Sequence, residues 1–341
     1  MSDSRKDTKE QGISAGRIRE LSRAFQSSRV FLTGYELDVF SVLGDEEKTS
    51  EEVAGAIGAD PRGTDRLLNA LCALELLTKS GDKYANSPVA AQYLVKGKPD
   101  YQSGLMHTVH LWDSWTTLTG AVRHGGTIMQ RPTNERGREW LEAFIAAMHA
   151  RAAVEAPYLV GKLDLTGVSR VLDVGGGSGA FSMAFVRARD GLESTVFDLP
   201  NVVPLTKGYI EQEGLSGRIH TVPGNYHNDE LGEGFDLVFL SAIIHSNSFE
   251  QNQDLVRKVG RALNPGGRIV ISDFIMEDTR VEPMFGAFFA LNMLVGTPGG
   301  DTYTESEIKT WMHEADIAFT ERINLGRGNG FMIGTKNQGF L

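Results

Sequence analysis

The stretch Ser169-Arg-Val-Leu-Asp-Val-Gly-Gly-Gly-Ser-Gly-Ala180 decides the fold of the C-terminal half of this chain. Its apolar residues predict a β-strand that runs into a glycine loop, and Phe181 to Arg187 continues as a helix. Gly175, Gly177 and Ala180 satisfy the pattern G-x-G-x-x-A, in which a nucleotide lies at a helix N-terminus. We therefore expect a nucleoside-binding α/β domain.

Strands and helices continue to alternate after this loop. Strands are predicted at 195–198, 219–222, 235–240 and 268–273, and helices at 203–213 and 252–263. This alternation predicts a parallel sheet with helices on both faces. The last two strand-like segments flank Gly326-Arg-Gly-Asn-Gly330, which predicts a terminal antiparallel hairpin. A parallel sheet with a reversed last strand resembles the sheet of the Rossmann-like class I methyltransferases.

The N-terminal region has a different pattern, in which helices precede a small hairpin. Thr49 and Glu52 form a capping box, and Asp60-Pro61 begins a further helix. Leu77 to Tyr84 then reads as two short strands around a Gly81-Asp82 turn. This order predicts a winged-helix domain. We divide the chain into a flexible tail (1–14), a winged-helix-like dimerisation domain (15–100), a helical segment lining the substrate pocket (101–160) and a nucleoside-binding domain (161–341).

Composition and charge restrict the class of partner. The chain has 341 residues, of which 41% are hydrophobic and 23% charged, and 34 basic against 44 acidic residues give a net charge of −10. This balance disfavours nucleic acids and anionic membranes as partners, and the predicted third helix has no basic face. The N-terminus is polar, and Phe285 to Val295 is too short and too interrupted to cross a membrane. We expect a cytoplasmic protein with a small-molecule ligand.

Two aspartates indicate which nucleoside is bound. Asp198 ends the strand after the glycine loop, where an acid can bond ribose hydroxyls. Asp173 lies two residues before Gly175, where its carboxylate would repel the pyrophosphate of NAD. The same carboxylate would attract the ammonium and sulfonium groups of S-adenosylmethionine (SAM). The alternative for Asp173 is a structural role, in which it anchors the loop.

The order of several motifs carries a family resemblance. Val171-Leu-Asp-Val-Gly-Gly-Gly-Ser-Gly179 is followed by Val196-Phe-Asp-Leu-Pro200, Gly224-Asn-Tyr226, a strand ending at His245, and Pro298-Gly-Gly300. In this combination the sequence resembles the SAM-dependent O-methyltransferases of the plant caffeate type and their bacterial natural-product relatives, over nearly the whole chain. The resemblance implies that residues 161–341 form a SAM-binding methyltransferase domain. It also implies a homodimer that moves a methyl group from SAM to a hydroxyl of a small, aromatic or polycyclic molecule.

The resemblance also implies a set of cofactor-binding residues. Gly175 would lie against the methionyl part of SAM, Asp198 would bind its ribose, and Asn225 and Tyr226 would flank its adenine. Asn225 stands where relatives often have aspartate, and Ser241 stands where plant members have lysine. The full predicted set is Asp173, Gly175, Gly177, Asp198, Leu199, Gly224, Asn225, Tyr226 and Ser241.

His245 is the candidate catalytic base. A histidine is by default a packed or surface residue, but this one follows a strand at the sheet edge where ligands bind. The family resemblance places the catalytic histidine here, and a neutral imidazole can accept a hydroxyl proton during in-line attack. Asp273 matches the acid that orients the histidine. The position of a second family acid is held by Thr302, and Asp301 could replace it only with a shifted backbone.

A set of aromatic and polar side chains is predicted to line the acceptor pocket. It consists of Trp112, Trp115, Phe144, Met148, Phe289, Asn292, Met293 and Thr302. Those of the set that lie within residues 101–160 have helical spacing, so core packing is the alternative interpretation for them.

Other functions stay open at this point. The same fold can support methyl transfer to carbon, nitrogen or sulfur, or another SAM-using reaction. A SAM-sensing winged-helix regulator and an NAD-dependent enzyme are further alternatives. No metal is predicted, because the single cysteine, Cys72, excludes a cysteine-built site and no compact acidic ligand cluster is present.

Overall fold

A computed structural model describes residues 13–129 and 137–338. The chain divides into two compact units, Met1–His110 and Leu111–Leu341. Most of the predicted tail (1–14) lies outside the described residues. The division into four segments stays a prediction.

The N-terminal unit has the predicted order of helices and hairpin. Its helices are α1 (Ala15–Glu36), α2 (Val39–Leu43), α3 (Ser50–Ile57), α4 (Pro61–Ala73) and α5 (Pro88–Tyr93). The strands β1 (Lys48–Thr49), β2 (Leu77–Ser80) and β3 (Lys83–Asn86) form an antiparallel sheet in the order β1-β3-β2. The capping box of Thr49 and Glu52 and the N-cap of Asp60 are both present, so local side-chain bonds set these helix starts.

Helix α6 (Leu105–Thr116) contains the boundary between the units, and α7 (Leu118–His124) and α8 (Arg138–Val160) follow it. The strands of the C-terminal unit are β4 (Arg170–Val174), β5 (Glu193–Asp198), β6 (Ile219–Pro223), β7 (Phe235–Ser241), β8 (Leu263–Met276), β9 (Tyr303–Thr304), β10 (Ile317–Gly326) and β11 (Asn329–Lys336). Its remaining helices are α9 (Ala180–Ala188), α10 (Val203–Gln212), α11 (Phe249–Ala262), α12 (Met284–Gly296) and α13 (Glu305–Glu314).

These strands form one mixed sheet in the order β10-β11-β8-β7-β4-β5-β6, with β9 paired to β8. Strands β4 to β8 are parallel, whereas β11 is antiparallel to both β8 and β10. The Rossmann-like sheet with a reversed last strand is thus confirmed. From β4 the chain runs first to β5 and β6 on one side and then to β7 and β8 on the other. The carboxyl end of β4 is therefore the switch point, where a ligand crevice forms.

Alternating side chains of the sheet face two apolar layers. On β4, Val171 joins one core cluster and Leu172 joins the other, and both are fully buried. A strand buried on both faces needs apolar residues at nearly every position. Asp173 is the exception on β4, because it is an acid buried among apolar residues.

Candidate active site

The glycine loop begins where β4 ends and is held by the neighbouring strands. Gly175 donates its backbone N–H to the carbonyl of Phe197 at 2.7 Å. It has a φ of +65°, and a Cβ there would collide with the side chain of Ile243. Only glycine fits both the left-handed backbone and this close approach. Gly175 to Gly177 thus form a cradle without side chains before the start of α9.

Asp198 connects the end of β5 to this loop. Its carboxylate accepts the backbone N–H of Gly177 at 2.8 Å and that of Leu199 at 2.7 Å. Burial raises the pKa of Asp198, and the two backbone bonds oppose that shift. A carboxylate has about four lone-pair positions, so it can accept two further bonds from a diol.

Asp173 lies beneath the loop rather than on its surface. It is 1% exposed and accepts a hydrogen bond from the Ser182 hydroxyl at 2.8 Å. Burial raises its pKa to about 7. A Cβ at Gly176 would collide with this carboxylate, so the loop passes directly over it. The geometry supports the structural alternative, an acid that anchors the loop.

The predicted adenine-binding segment follows β6. Gly224 donates to the carbonyl of Asp198 at 2.9 Å, which draws the segment towards the end of β5. The side-chain oxygen of Asn225 accepts from His227 N at 3.0 Å, which leaves its NH₂ group for another partner. The Tyr226 hydroxyl donates to Asn247 at 3.2 Å. Ser241 is half-buried at the end of β7.

His245 and Asp273 form a hydrogen-bonded pair at the same edge of the sheet. His245 lies in a short 3₁₀ turn, Ile244–Ser246, after β7, and its side chain is 14% exposed. Its Nδ1 lies 2.9 Å and 3.0 Å from the two carboxylate oxygens of Asp273. Because an ionised carboxylate only accepts, the neutral ring carries its proton on Nδ1. Nε2 is then the atom that can accept a proton.

Neither Thr302 nor Asp301 is hydrogen-bonded to the His245 ring. Thr302 is 2% exposed, and its hydroxyl donates to the carbonyl of Gly286 at 3.3 Å. Asp301 pairs with Arg280 at 3.3 Å and bonds to His245 only through its backbone N–H. Among the described residues, Asp273 is therefore the one acid bonded to the His245 ring.

The predicted pocket residues differ in their contacts and in their burial. Phe289 packs edge-on to His245 with ring centroids 4.9 Å apart. The indole N–H of Trp115 donates to Oδ1 of Asn292 at 3.0 Å, which links α6 to α12. Met293 is buried. Trp112, Phe144 and Met148 are half-buried.

Sequence reasoning missed His149 on α8. Its Nδ1 lies 2.9 Å from the Ser178 hydroxyl in the glycine loop, and its ring stacks on Tyr209 at 4.1 Å. Burial lowers the pKa of His149, which favours the neutral ring. No local motif marks this residue. The contact depends on how α8 packs over the loop.

The comparison with known proteins identifies the family. Residues 115–317 match the O-methyltransferase domain, and residues 19–96 match the O-methyltransferase dimerisation domain. The chain belongs to the O-methyltransferase family. The enzyme class, the methyl donor SAM and the family predicted from the sequence are confirmed.

Two relatives and one solved structure show how broad the likeness is. The 3-hydroxy-5-methyl-1-naphthoate 3-O-methyltransferase of Streptomyces sahachiroi is 32% identical and covers 94% of each chain. The N,N-dimethyltransferase OxyT of Streptomyces rimosus is 28% identical over 94% of this chain and 96% of its own. An O-methyltransferase family protein from Burkholderia thailandensis aligns with a TM-score of 0.84 at 25% identity, over 97% of this chain and 100% of that one.

Two further findings concern other classes of site. No helix within residues 13–129 and 137–338 has the length and apolar character that crossing a bilayer requires. Over the same ranges, no group of three or more histidine, cysteine or acidic side chains is placed to hold a metal ion.

Proposed function

We propose that His245 is the general base of an O-methyl transfer and that Asp273 positions it. The observation that carries this proposal is the pair of contacts from Nδ1 of His245 to both carboxylate oxygens of Asp273, at 2.9 Å and 3.0 Å. They hold the proton on Nδ1 and leave Nε2 free to accept the acceptor's hydroxyl proton. Asp273 then stabilises the charged imidazolium that results.

We further propose that the loop and strand ends described above hold SAM. Gly175 and Gly177 form the cradle for its methionyl part, Asp198 accepts from its ribose, and Asn225 and Tyr226 flank its adenine. SAM supplies a methyl group on a positive sulfonium. The chain's own contribution is to orient the acceptor oxygen and to remove its proton.

The acceptor that fits these side chains best is a small hydroxylated aromatic or polycyclic molecule. Phe289 places an aromatic ring beside His245. Because the Trp115 indole only donates, the amide of Asn292 turns its oxygen towards that ring. Its NH₂ group is then left to donate to an oxygen of the acceptor. The naphthoate named for the S. sahachiroi relative has both a hydroxyl and a carboxylate, so hydroxynaphthoates are the first acceptors to try.

Replacing His245 tests whether it is the general base. His245→Ala should lower methyl transfer to a hydroxynaphthoate by about 10²–10⁴-fold, which is the usual contribution of a general base. SAM affinity, measured by calorimetry, should stay close to that of the wild type. His220→Ala is the matched control, since His220 lies exposed on β6, away from the base. Full activity of folded His245→Ala would overturn the assignment.

Methyl transfer to nitrogen is the second candidate, because the N,N-dimethyltransferase OxyT aligns over 94% of this chain. An amine that is already neutral needs positioning more than a base. Activity on amines that survives in His245→Ala would favour this candidate over O-methylation.

We also propose that the chain forms a homodimer through α1. Ile18, Leu21 and Phe25 are 53–56% exposed and lie on one helical face, and Leu21 and Phe25 belong to the segment that matches the dimerisation domain. Leu21→Glu together with Phe25→Glu should give a monomer mass in light scattering at micromolar concentration. Val154→Glu, at an apolar position that is 79% exposed outside that segment, should leave the dimer intact. A wild type that is monomeric under these conditions would contradict the proposal.

A further inference from the structure

Two buried asparagines connect the proposed adenine-binding segment to the turn that carries His245. Asn247 and Asn252 are 1% and 0% exposed, and the proposed reaction uses neither of them. Asn247 directly follows the 3₁₀ turn, and Asn252 lies in the first turns of α11. Buried amides are costly unless they are fully bonded, so their partners show what they hold together.

Their hydrogen bonds form one continuous series. The Tyr226 hydroxyl donates to Oδ1 of Asn247 at 3.2 Å. Nδ2 of Asn247 donates to Oδ1 of Asn252 at 3.0 Å. Nδ2 of Asn252 donates to the backbone carbonyl of Ile244 at 2.8 Å. Because Ile244 directly precedes His245, the series ends one peptide bond from the proposed base.

The backbone carbonyl of Ile244 sets the donor-to-acceptor direction of this series. A carbonyl only accepts, so Asn252 must turn its NH₂ group to Ile244 and its oxygen to Asn247. Asn247 must then offer its own NH₂ group to Asn252, and its oxygen remains for Tyr226. Turning either amide over would place donor against donor, or acceptor against acceptor, between buried side chains.

Further bonds brace the same turn. The Tyr303 hydroxyl donates to the backbone carbonyl of Asn247 at 2.5 Å. The backbone N–H of Asp301 donates to the carbonyl of His245 at 3.0 Å. Burial raises the pKa of Tyr226 to about 12, so its hydroxyl remains a donor at neutral pH. Tyr226 is the residue of the series that belongs to the proposed cofactor site.

We propose that Asn247 and Asn252 are positioning residues that couple the adenine side of the site to the orientation of the His245 ring. The proposal rests on the proposed function, in which Tyr226 flanks the adenine and His245 is the base. A nucleoside that changes the placement of Tyr226 also changes its bond to Asn247. The series passes that change to Ile244 and so to the ring, and the coupling acts equally in the reverse direction.

Nuclear magnetic resonance can measure this coupling without an assay of methyl transfer. Histidine labelled with ¹³C at Cε1 reports the ring signal of His245, and the signal that disappears in His245→Gln identifies it. In the wild type, saturating S-adenosylhomocysteine should shift this signal at neutral pH. In Tyr226→Phe and in Asn252→Asp the shift should fall by about half or more, although the nucleoside is still bound.

The two variants test opposite ends of the series. Tyr226→Phe removes only one oxygen atom, and Asn252→Asp keeps the side-chain size but replaces the NH₂ donor with a second acceptor. Asn86→Asp is the control, because Asn86 donates to the carbonyls of Phe40 and Gly44 in the N-terminal unit and should leave the shift unchanged. Calorimetry confirms that S-adenosylhomocysteine occupies each variant.

A ligand-induced shift of wild-type size in folded, saturated Tyr226→Phe would overturn the proposal, even where Asn252→Asp fails to fold. A loss of the shift in Asn86→Asp would also overturn it, since the effect would then follow general destabilisation. The outcome is independent of the His245→Ala assay, because the ring signal is measured whether or not His245 acts as the base.

Discussion

Asp273 accepts a hydrogen bond from the His245 ring while its carboxylate is also bonded to the backbone. The carboxylate lies 2.9 Å from the backbone N–H of Phe274 and 3.4 Å from that of His245 itself. Its side chain is 3% exposed, so few other orientations are open to it. The acid is thus held by its own strand and by the turn that it supports, which fixes the tautomer of the imidazole and links the ring to that turn.

Asp273→Asn should therefore abolish most of the methyl transfer. An asparagine can turn its NH₂ group to Nδ1, which moves the ring proton to Nε2 and removes the accepting lone pair. We expect a fall of about 10²–10⁴-fold in the rate, with SAM affinity nearly unchanged. Asp236→Asn is the control, because Asp236 also accepts two backbone N–H groups, at 2.9 Å and 3.0 Å from Ser169 and Arg170. Similar losses in both variants would show a folding defect instead.

Asp198→Asn should weaken SAM binding by about 1–3 kcal/mol, because charge-assisted bonds to ribose hydroxyls are lost. Isothermal titration calorimetry measures this directly. Asp164→Asn provides the same chemical change at an acid that caps the backbone N–H of Thr166 at 2.8 Å in another loop. Unchanged affinity in a folded Asp198→Asn variant would remove Asp198 from the nucleoside site.

Thr302→Val should change stability more than catalysis. The variant loses the bond to the carbonyl of Gly286, so the free energy of unfolding should fall by about 1 kcal/mol. Methyl transfer should stay within a few-fold of the wild type, since the hydroxyl is bonded to Gly286 and not to the His245 ring. Denaturant unfolding and initial rates test both statements. A large rate loss at unchanged stability would mean that Thr302 contacts the acceptor.

Asp173 should make the unliganded protein less stable as the pH rises. Its pKa is about 7 in the folded chain because of burial, compared with an ordinary value of 3.8. The folded state therefore holds a proton that the unfolded state releases, and this stabilisation is lost as the pH rises from about 4 to about 7. Asp173→Asn should flatten the dependence of Tm on pH across that window. An unchanged slope would contradict the shifted pKa.

Local pattern alone was enough to predict the alternation of strands and helices, the glycine loop and the terminal hairpin. Hydrophobic periodicity and turn residues depend on neighbours a few positions apart. A single sequence is therefore enough to detect them. The positions of Asp198 and His245 at strand ends follow from the same patterns, because parallel strands bring their carboxyl ends to one edge. The resemblance to a family depended on the order of these motifs.

Tertiary structure decided which partners the side chains at the carboxyl edge of the sheet have. His245 and Asp273 are 28 residues apart, and their pairing follows from the parallel register of β7 and β8. The fold turned Thr302 towards Gly286, placed Asp173 under the loop and brought His149 to Ser178. Side-chain orientation depends on packing between elements distant in sequence, whereas helices and strands depend largely on local pattern. The sequence by itself therefore determined which elements form and in which order, and packing alone determined which of their side chains meet.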